Sequence, residues 1–195
     1  MTVKIREILE ILGKEDIARR YFVMNSFDGA LTILGIIAAL YLSHVTEAKI
    51  IIISCMGAAV AMGVSGFWGA YSAEYAERLN KFKELEKHMM KDLDGTKVEK
   101  SMKVKTVVIA MVDGISPALA SIIILVPFFL SRSGVISIID AYHASMILVA
   151  GILMGIGAFV GSIAKENTVK NAFKMLSAGV IVAVLSVALE SMKVV

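Results

Sequence analysis

Five long apolar runs, separated by short polar stretches, divide the chain: roughly residues 22–42, 50–72, 106–130, 142–163 and 172–190. Each is close to or above the about 20 residues that a helix needs to cross a hydrocarbon core of about 30 Å. The pattern predicts an all-α, polytopic membrane protein with five transmembrane helices in one domain, residues 1–195. Ahead of the first run, residues 1–20 set Ile5, Ile8, Leu9 and Leu12 against Lys4, Glu7, Glu10 and Lys14. That spacing predicts a short amphipathic helix lying on the membrane surface. No small-residue cleavage site follows, so this segment does not read as a signal peptide. Residues 73–105 are densely charged and are expected to continue the second span as a helix on the aqueous side.

Two of the apolar runs carry the same fault. Asp28 interrupts "YFVMNSFDGALTILGIIAAL" and Asp113 interrupts "IAMVDGISPALASIIILVPFFL", each followed by glycine. A carboxylate at membrane depth costs about 2.5–3.5 kcal/mol on insertion scales, and such residues usually mark a pathway or a site. The chain also repeats itself. "MGVSGFWGAYSAE" at 62–74 and "MGIGAFVGSIAKE" at 154–166 share Met, Gly, Phe, Gly and Glu at identical spacing. Together with the paired Asp-Gly, this predicts a parallel two-helix repeat, spans 1–2 and spans 3–4, with span 5 appended.

Small residues line the helix faces. Asp28, Thr32, Gly35 and Ala39 share one face of span 1. Gly63, Gly66, Gly69 (or Ala70) and Ala73 form a ridge on span 2. Gly151, Gly155, Ala158 and Ser162 do so on span 4, beside Gly157-x-x-x-Gly161. Such stripes let helix backbones approach closely in lipid. They exceed what five helices need among themselves, which favours pairing with a second copy. In span 3, Pro117 removes the helical partner of the Asp113 carbonyl. That carbonyl is then either an oxygen ligand for a cation or satisfied by a neighbour such as Ser116.

Composition agrees and adds orientation. The mean hydropathy is +0.78 and 57% of residues are apolar. Of the twenty Lys and Arg, seventeen fall in the N-terminal segment and in the connections after spans 2 and 4, and three (Lys49, Arg132, Lys193) on the other side. The positive-inside bias predicts a cytoplasmic N-terminus and an external C-terminus, in the cell membrane. The net charge of +3 reflects this bias, and no basic patch with interleaved aromatics suggests nucleic acid. The single cysteine, Cys55, lies within a span and cannot form an intrachain disulfide.

With this topology, Asp28 and Asp113 lie in the cytoplasmic half, and Glu74 and Glu166 at the cytoplasmic interface. Four carboxylates from four helices suit a divalent cation. Met62 and Met154 lie about 18 Å deeper, at 1.5 Å per residue. Their thioethers suit a softer transition metal, although methionine in such cores is usually a gap-filler. Burial disfavours a charged carboxylate while a bound divalent cation favours it, so metal and protons should exchange at the aspartates. In the connection, Glu84 and His88 stand four apart, a usable metal pair on what otherwise reads as a solvated face of mixed charge. No P-loop, G-x-S-x-G, H-E-x-x-H or Cys cluster is present, and no nucleophile–base pair, so an enzyme is not expected.

The Asp-Gly of span 1, the glycine-rich span 2 running into a cytoplasmic helix, and "PALAS" in span 3 resemble the vacuolar iron transporter family. The resemblance implies a dimeric, proton-coupled exporter of ferrous iron, and sometimes manganese, with Asp28 as a membrane carboxylate. Such a homodimer in the lipid bilayer has metal ions and protons as its cargo and needs no resident cofactor. Departures are visible. Where the family's span 2 ends in Gly-Glu-Tyr, "GAYSAEYAER" either replaces the glutamate by Ala70 or shifts it to Glu74. The family's membrane methionine aligns near Gly66, one turn from Met62, and the large acidic cytoplasmic domain of many members is reduced to residues 73–105. The expected metal-contacting residues are thus Asp28, Asp113, Glu74, Glu166, Met62 and Met154. The rival expectation is a membrane scaffold or assembly subunit without transport activity, its aspartates paired to basic residues such as Arg19 or Arg20 at the boundary.

Overall fold

A computed structural model describes residues 16–192 of the chain. Five helices follow one another: α1 (Asp16–Leu42), α2 (Ala48–Met89), α3 (Lys97–Arg132), α4 (Ile138–Ala164) and α5 (Thr168–Ser191). All five are long and apolar enough to cross a membrane, and among the described residues there is no strand. The expected surface helix over 1–20 falls mostly outside the described residues; its last five, Asp16–Arg20, open α1.

The helix ends follow local chemistry. Thr96 caps α3 by accepting from the Glu99 N–H, while the Glu99 carboxylate accepts from the Gly95 N–H at 2.8 Å. The Thr96 side chain satisfies a free donor of the first turn, and the Glu99 carboxylate ties the preceding residue to it. Ser137 caps α4 through the Asp140 N–H at 3.1 Å, and Asn167 caps α5 through Val169 and Lys170. Pro117 and Pro127 lie within α3, which continues through both. Hydroxyls brace α3 between and beside the prolines: Ser121 donates to the Pro117 carbonyl at 2.7 Å, and Ser145 of α4 to that of Ile124 at 2.8 Å.

Two helices form the middle. α3 packs against α2, α1 and α4, while α1 touches all four others. The most extensive contacts are between α2 and α3 and between α4 and α5. These pairs are joined through the basic connections, whereas the sequence repeat groups α1 with α2 and α3 with α4. The main apolar core, with Ile33, Ile37, Ile51, Leu125, Phe128 and Leu153 fully buried, fills the half of the bundle away from the charged hairpin. Cys55 sits in this core, and Tyr142 ties α4 to the α1–α2 turn by donating to the Val45 carbonyl at 2.8 Å. A smaller cluster of Phe82, Leu93 and Met102 closes the hairpin between α2 and α3.

The glycine stripes divide by what they face. On α4, a Cβ at Gly157 would sit 2.4 Å from the Asn171 carbonyl oxygen, so only glycine admits α5 there. Gly151 and Gly155, on the ridge read from the sequence, have nothing within 4 Å and point out of the protomer. Gly157→Ala should therefore cost about 1–3 kcal/mol by overpacking and lower the thermal midpoint in detergent. Gly57→Ala, in open space within α2, should leave stability unchanged or raise it by up to about 1 kcal/mol. Equal midpoints for the two variants would contradict this packing.

Candidate functional site

The half of the bundle nearer the hairpin is built on three close approaches. Gly114 of α3 lies on α2: a Cβ there would meet the Gly63 carbonyl oxygen at 2.7 Å and the Phe67 Cβ at 3.0 Å. Gly29 of α1 lies on α3, where a Cβ would sit 2.7 Å from the Pro117 Cα. Each glycine of the paired Asp-Gly is thus a helix-packing residue, and its aspartate is carried to the edge of that contact. One turn along α2, a Cβ at Gly66 would lie 3.1 Å from Asp113 Oδ2 and 3.2 Å from the Asp113 carbonyl oxygen. The bare glycine leaves room for that carboxylate.

Asp113 is buried, 5% exposed, and the Asn25 side-chain amide of α1 donates to its Oδ1. The same amide donates to the Tyr21 carbonyl at 3.0 Å, which fixes its direction. Asp28, one turn further along α1, is exposed on the surface of the bundle. Beside Asp28 opens a cavity of about 370 Å³, lined by Asn25, Asp28, Thr32, Met62, Ser65 and Gly66 among others. One thioether, two hydroxyls, an amide and a carboxylate face a common space, with a second carboxylate behind Asn25 and Gly66. Oxygen donors with one soft sulfur suit a divalent transition metal.

The Asp113 carbonyl faces Gly66, and the Ser116 hydroxyl goes instead to the Val112 carbonyl. Pro117 serves as the platform for Gly29.

Glu74 lies two turns from Gly66 toward the hairpin. It is 5% exposed and pairs with Arg78 at 3.0 Å. Glu166 and Met154 stand elsewhere. Glu166 is exposed in the α4–α5 turn, where the Asn171 amide donates to it at 3.2 Å, and Met154 is exposed on α4. Neither is among the residues that line the Asp28 cavity.

Asn25 is the site residue that the sequence reading missed. Its place three positions before Asp28 on the same helical face is the sequence feature it offers, and that feature does not name Asp113 as its partner.

The hairpin carries charge of its own. Lys81 donates to Glu77 at 2.6 Å and holds that carboxyl below the usual range. Glu84 accepts from Asn80 at 3.4 Å, and His88 is exposed. Glu86, Asp92 and Asp94 bring one oxygen each within 4.8 Å of the others at the tip. Glu86 and Asp92 also accept the backbone N–H groups of Leu93 and Asp94, so these acids shape the turn.

The sequence profile of the VIT family matches residues 66–190, from Gly66 beside Asp113 through nearly all of α5. Over 189 residues, 95% of either chain, the sequence is 30% identical to an uncharacterized protein of Methanocaldococcus jannaschii. The Asp-Gly contacts, the five membrane-length helices and this match agree: the chain belongs to the VIT family, a family of membrane metal-ion transporters.

Proposed function

We propose that the chain exports a divalent transition metal, ferrous iron or manganese, from the cytoplasm in exchange for protons, and does so as a homodimer. The observation that carries this reading is Asp28. It is exposed on the protomer surface, six residues into an apolar run, and opens onto a polar cavity backed by a second carboxylate. Hydrocarbon is a poor neighbour for a carboxylate. A second copy laid against the face of Asp28 and Thr32 would cover it and double the ligand set.

In this reading Asp28 takes the metal first-hand with Met62, and Asp113 supplies the second negative charge. Asn25 is a positioning residue that aims Asp113 through its amide. Glu74, held by Arg78, lies on the approach from the hairpin side. Met154 and Glu166 would contribute only by meeting the cavity of the other protomer. Metal arriving at the two carboxylates displaces their protons, and protons arriving from the outer side release the metal, so a single site couples both. The scaffold reading needs a basic partner for Asp28. Arg19 pairs with Asp16 and Arg20 lies over the Tyr21 ring at 5.8 Å, which weakens that alternative.

Asp28→Asn keeps the shape and removes the exchangeable charge. In proteoliposomes it should reduce Mn²⁺ or Fe²⁺ transport by about tenfold or more, the scale of one lost charged ligand, with unchanged elution and thermal midpoint. Asp113→Asn should act in the same direction, and an opposing proton gradient should accelerate the native protein. Normal transport by Asp28→Asn, or indifference to the gradient, would make the aspartates structural.

Thr32 lies one turn from Asp28 on the same exposed face, and Cys55, the native cysteine, is buried. Thr32→Cys should therefore form disulfide-linked dimers in oxidised native membranes. Monomer alone after oxidation would refute dimerisation through this face.

A further inference from the structure

Where α2 and α3 leave the apolar zone, they enclose an open groove of about 440 Å³. Arg78 and Lys81 of α2 and Lys97 and Lys105 of α3 line it, and no acidic residue is among its described lining. Arg78 and Lys81 each also hold an acid one turn away on α2, Glu74 and Glu77. The floor between the cations is apolar: Phe82, Leu85, Val98 and Met102. Lys105 directly precedes the third apolar run, so the mouth of the groove stands at headgroup level.

The same stripe of α3 continues into the bilayer as a second groove. Positions 101, 105, 108, 112, 115 and 119 follow one another at steps of three and four, one slowly drifting helical face. Val108, Met111, Ile115 and Leu119, with Phe22 of α1 and others, line an apolar channel of about 300 Å³. Met111, Ile115 and Leu119 are about half exposed along it. From Val108 to Leu119 the helix rises about 16 Å at 1.5 Å per residue, close to the about 15 Å depth of one leaflet's hydrocarbon.

We infer that these two grooves form one binding site for an anionic phospholipid of the leaflet on the hairpin side. Its phosphate sits between Arg78 and Lys105, its headgroup reaches toward Lys97, and one acyl chain runs down α3 from Val108 to Leu119. Charge complementarity selects the anionic headgroup, and the apolar continuation selects a lipid over a free anion. A lipid seated here braces α1 and α3 at the level of Tyr21 and Asp113, next to the transport site.

The test uses the full chain purified in a neutral detergent doped with equal amounts of phosphatidylglycerol and phosphatidylcholine, with retained lipid read by native mass spectrometry. The native protein should retain phosphatidylglycerol in preference, and phosphatidylglycerol should raise its thermal midpoint more than phosphatidylcholine does. Lys97→Gln/Lys105→Gln should reduce the preference by about tenfold or more, while Lys170→Gln/Lys174→Gln, which removes basic charge near the start of α5, should keep it. Four results would overturn the proposal. The native protein could retain both lipids alike, a measurement needing no variant. The Lys97/Lys105 variant could keep the preference. Inorganic phosphate could raise the midpoint as far as phosphatidylglycerol, indicating a free-anion site. Lipid-free dimers unaffected by phosphatidylglycerol would place a second copy on the groove.

Discussion

The contact of Gly63 on α2 with Gly114 on α3 sets the distance on which the site depends. In lipid the hydrophobic effect does not press helices together, and close backbone approach supplies the packing energy. With a Cβ at position 114 only 2.7 Å from the Gly63 carbonyl oxygen, any side chain there would push the two helices apart. Asp113 would then move off Gly66 and away from the Asn25 amide. Gly29 on Pro117 does the same service on the other face of α3. A carboxylate that is costly at this depth is thus held between two glycine contacts, with an amide to receive it.

The bundle divides along its length. Its far half is an apolar core of α1, α2, α3 and α4. Its near half gathers Asn25, Asp28, Asp113 and Glu74 beneath a charged hairpin. α5 buries little of itself, and the outer faces of α2 and α5 present large apolar residues such as Trp68, Val64, Val184 and Leu185. In a membrane these surfaces need no protein cover. The exposed stripe of Asp28 and Thr32 is polar, and the proposed second copy is what would cover it.

The five spans were legible because hydrocarbon thickness imposes their length, and each apolar run falls within one helix. The continuation of the second span into the charged stretch was legible too, from charged residues of good helix propensity, whereas the turn after Met89 that hands the chain to α3 at Lys97 was not. Asp28, Asp113 and Met62 stood out in sequence as chemical exceptions, and the fold gathers them around or behind one cavity. Asn25 did not, since an asparagine near the start of a span reads as interfacial; only the approach of α1 to α3 gives it Asp113. Met154 and Glu166 were chosen by the internal repeat, yet matching residues do not fix which face a helix turns inward. Pro117 drew notice for the carbonyl it frees, while its close contact is with Gly29, a pairing across 88 positions that local sequence does not disclose.

Metal–proton exchange at the aspartates makes a stoichiometric demand that binding of a cation to a structural acid pair does not. Mn²⁺ titrated into weakly buffered, purified protein with the solution pH recorded tests it most directly. The account predicts proton release that grows with bound Mn²⁺, saturates with it, and disappears in Asp28→Asn/Asp113→Asn. Saturable Mn²⁺ binding with no proton release, or release that persists in the double variant, would contradict it.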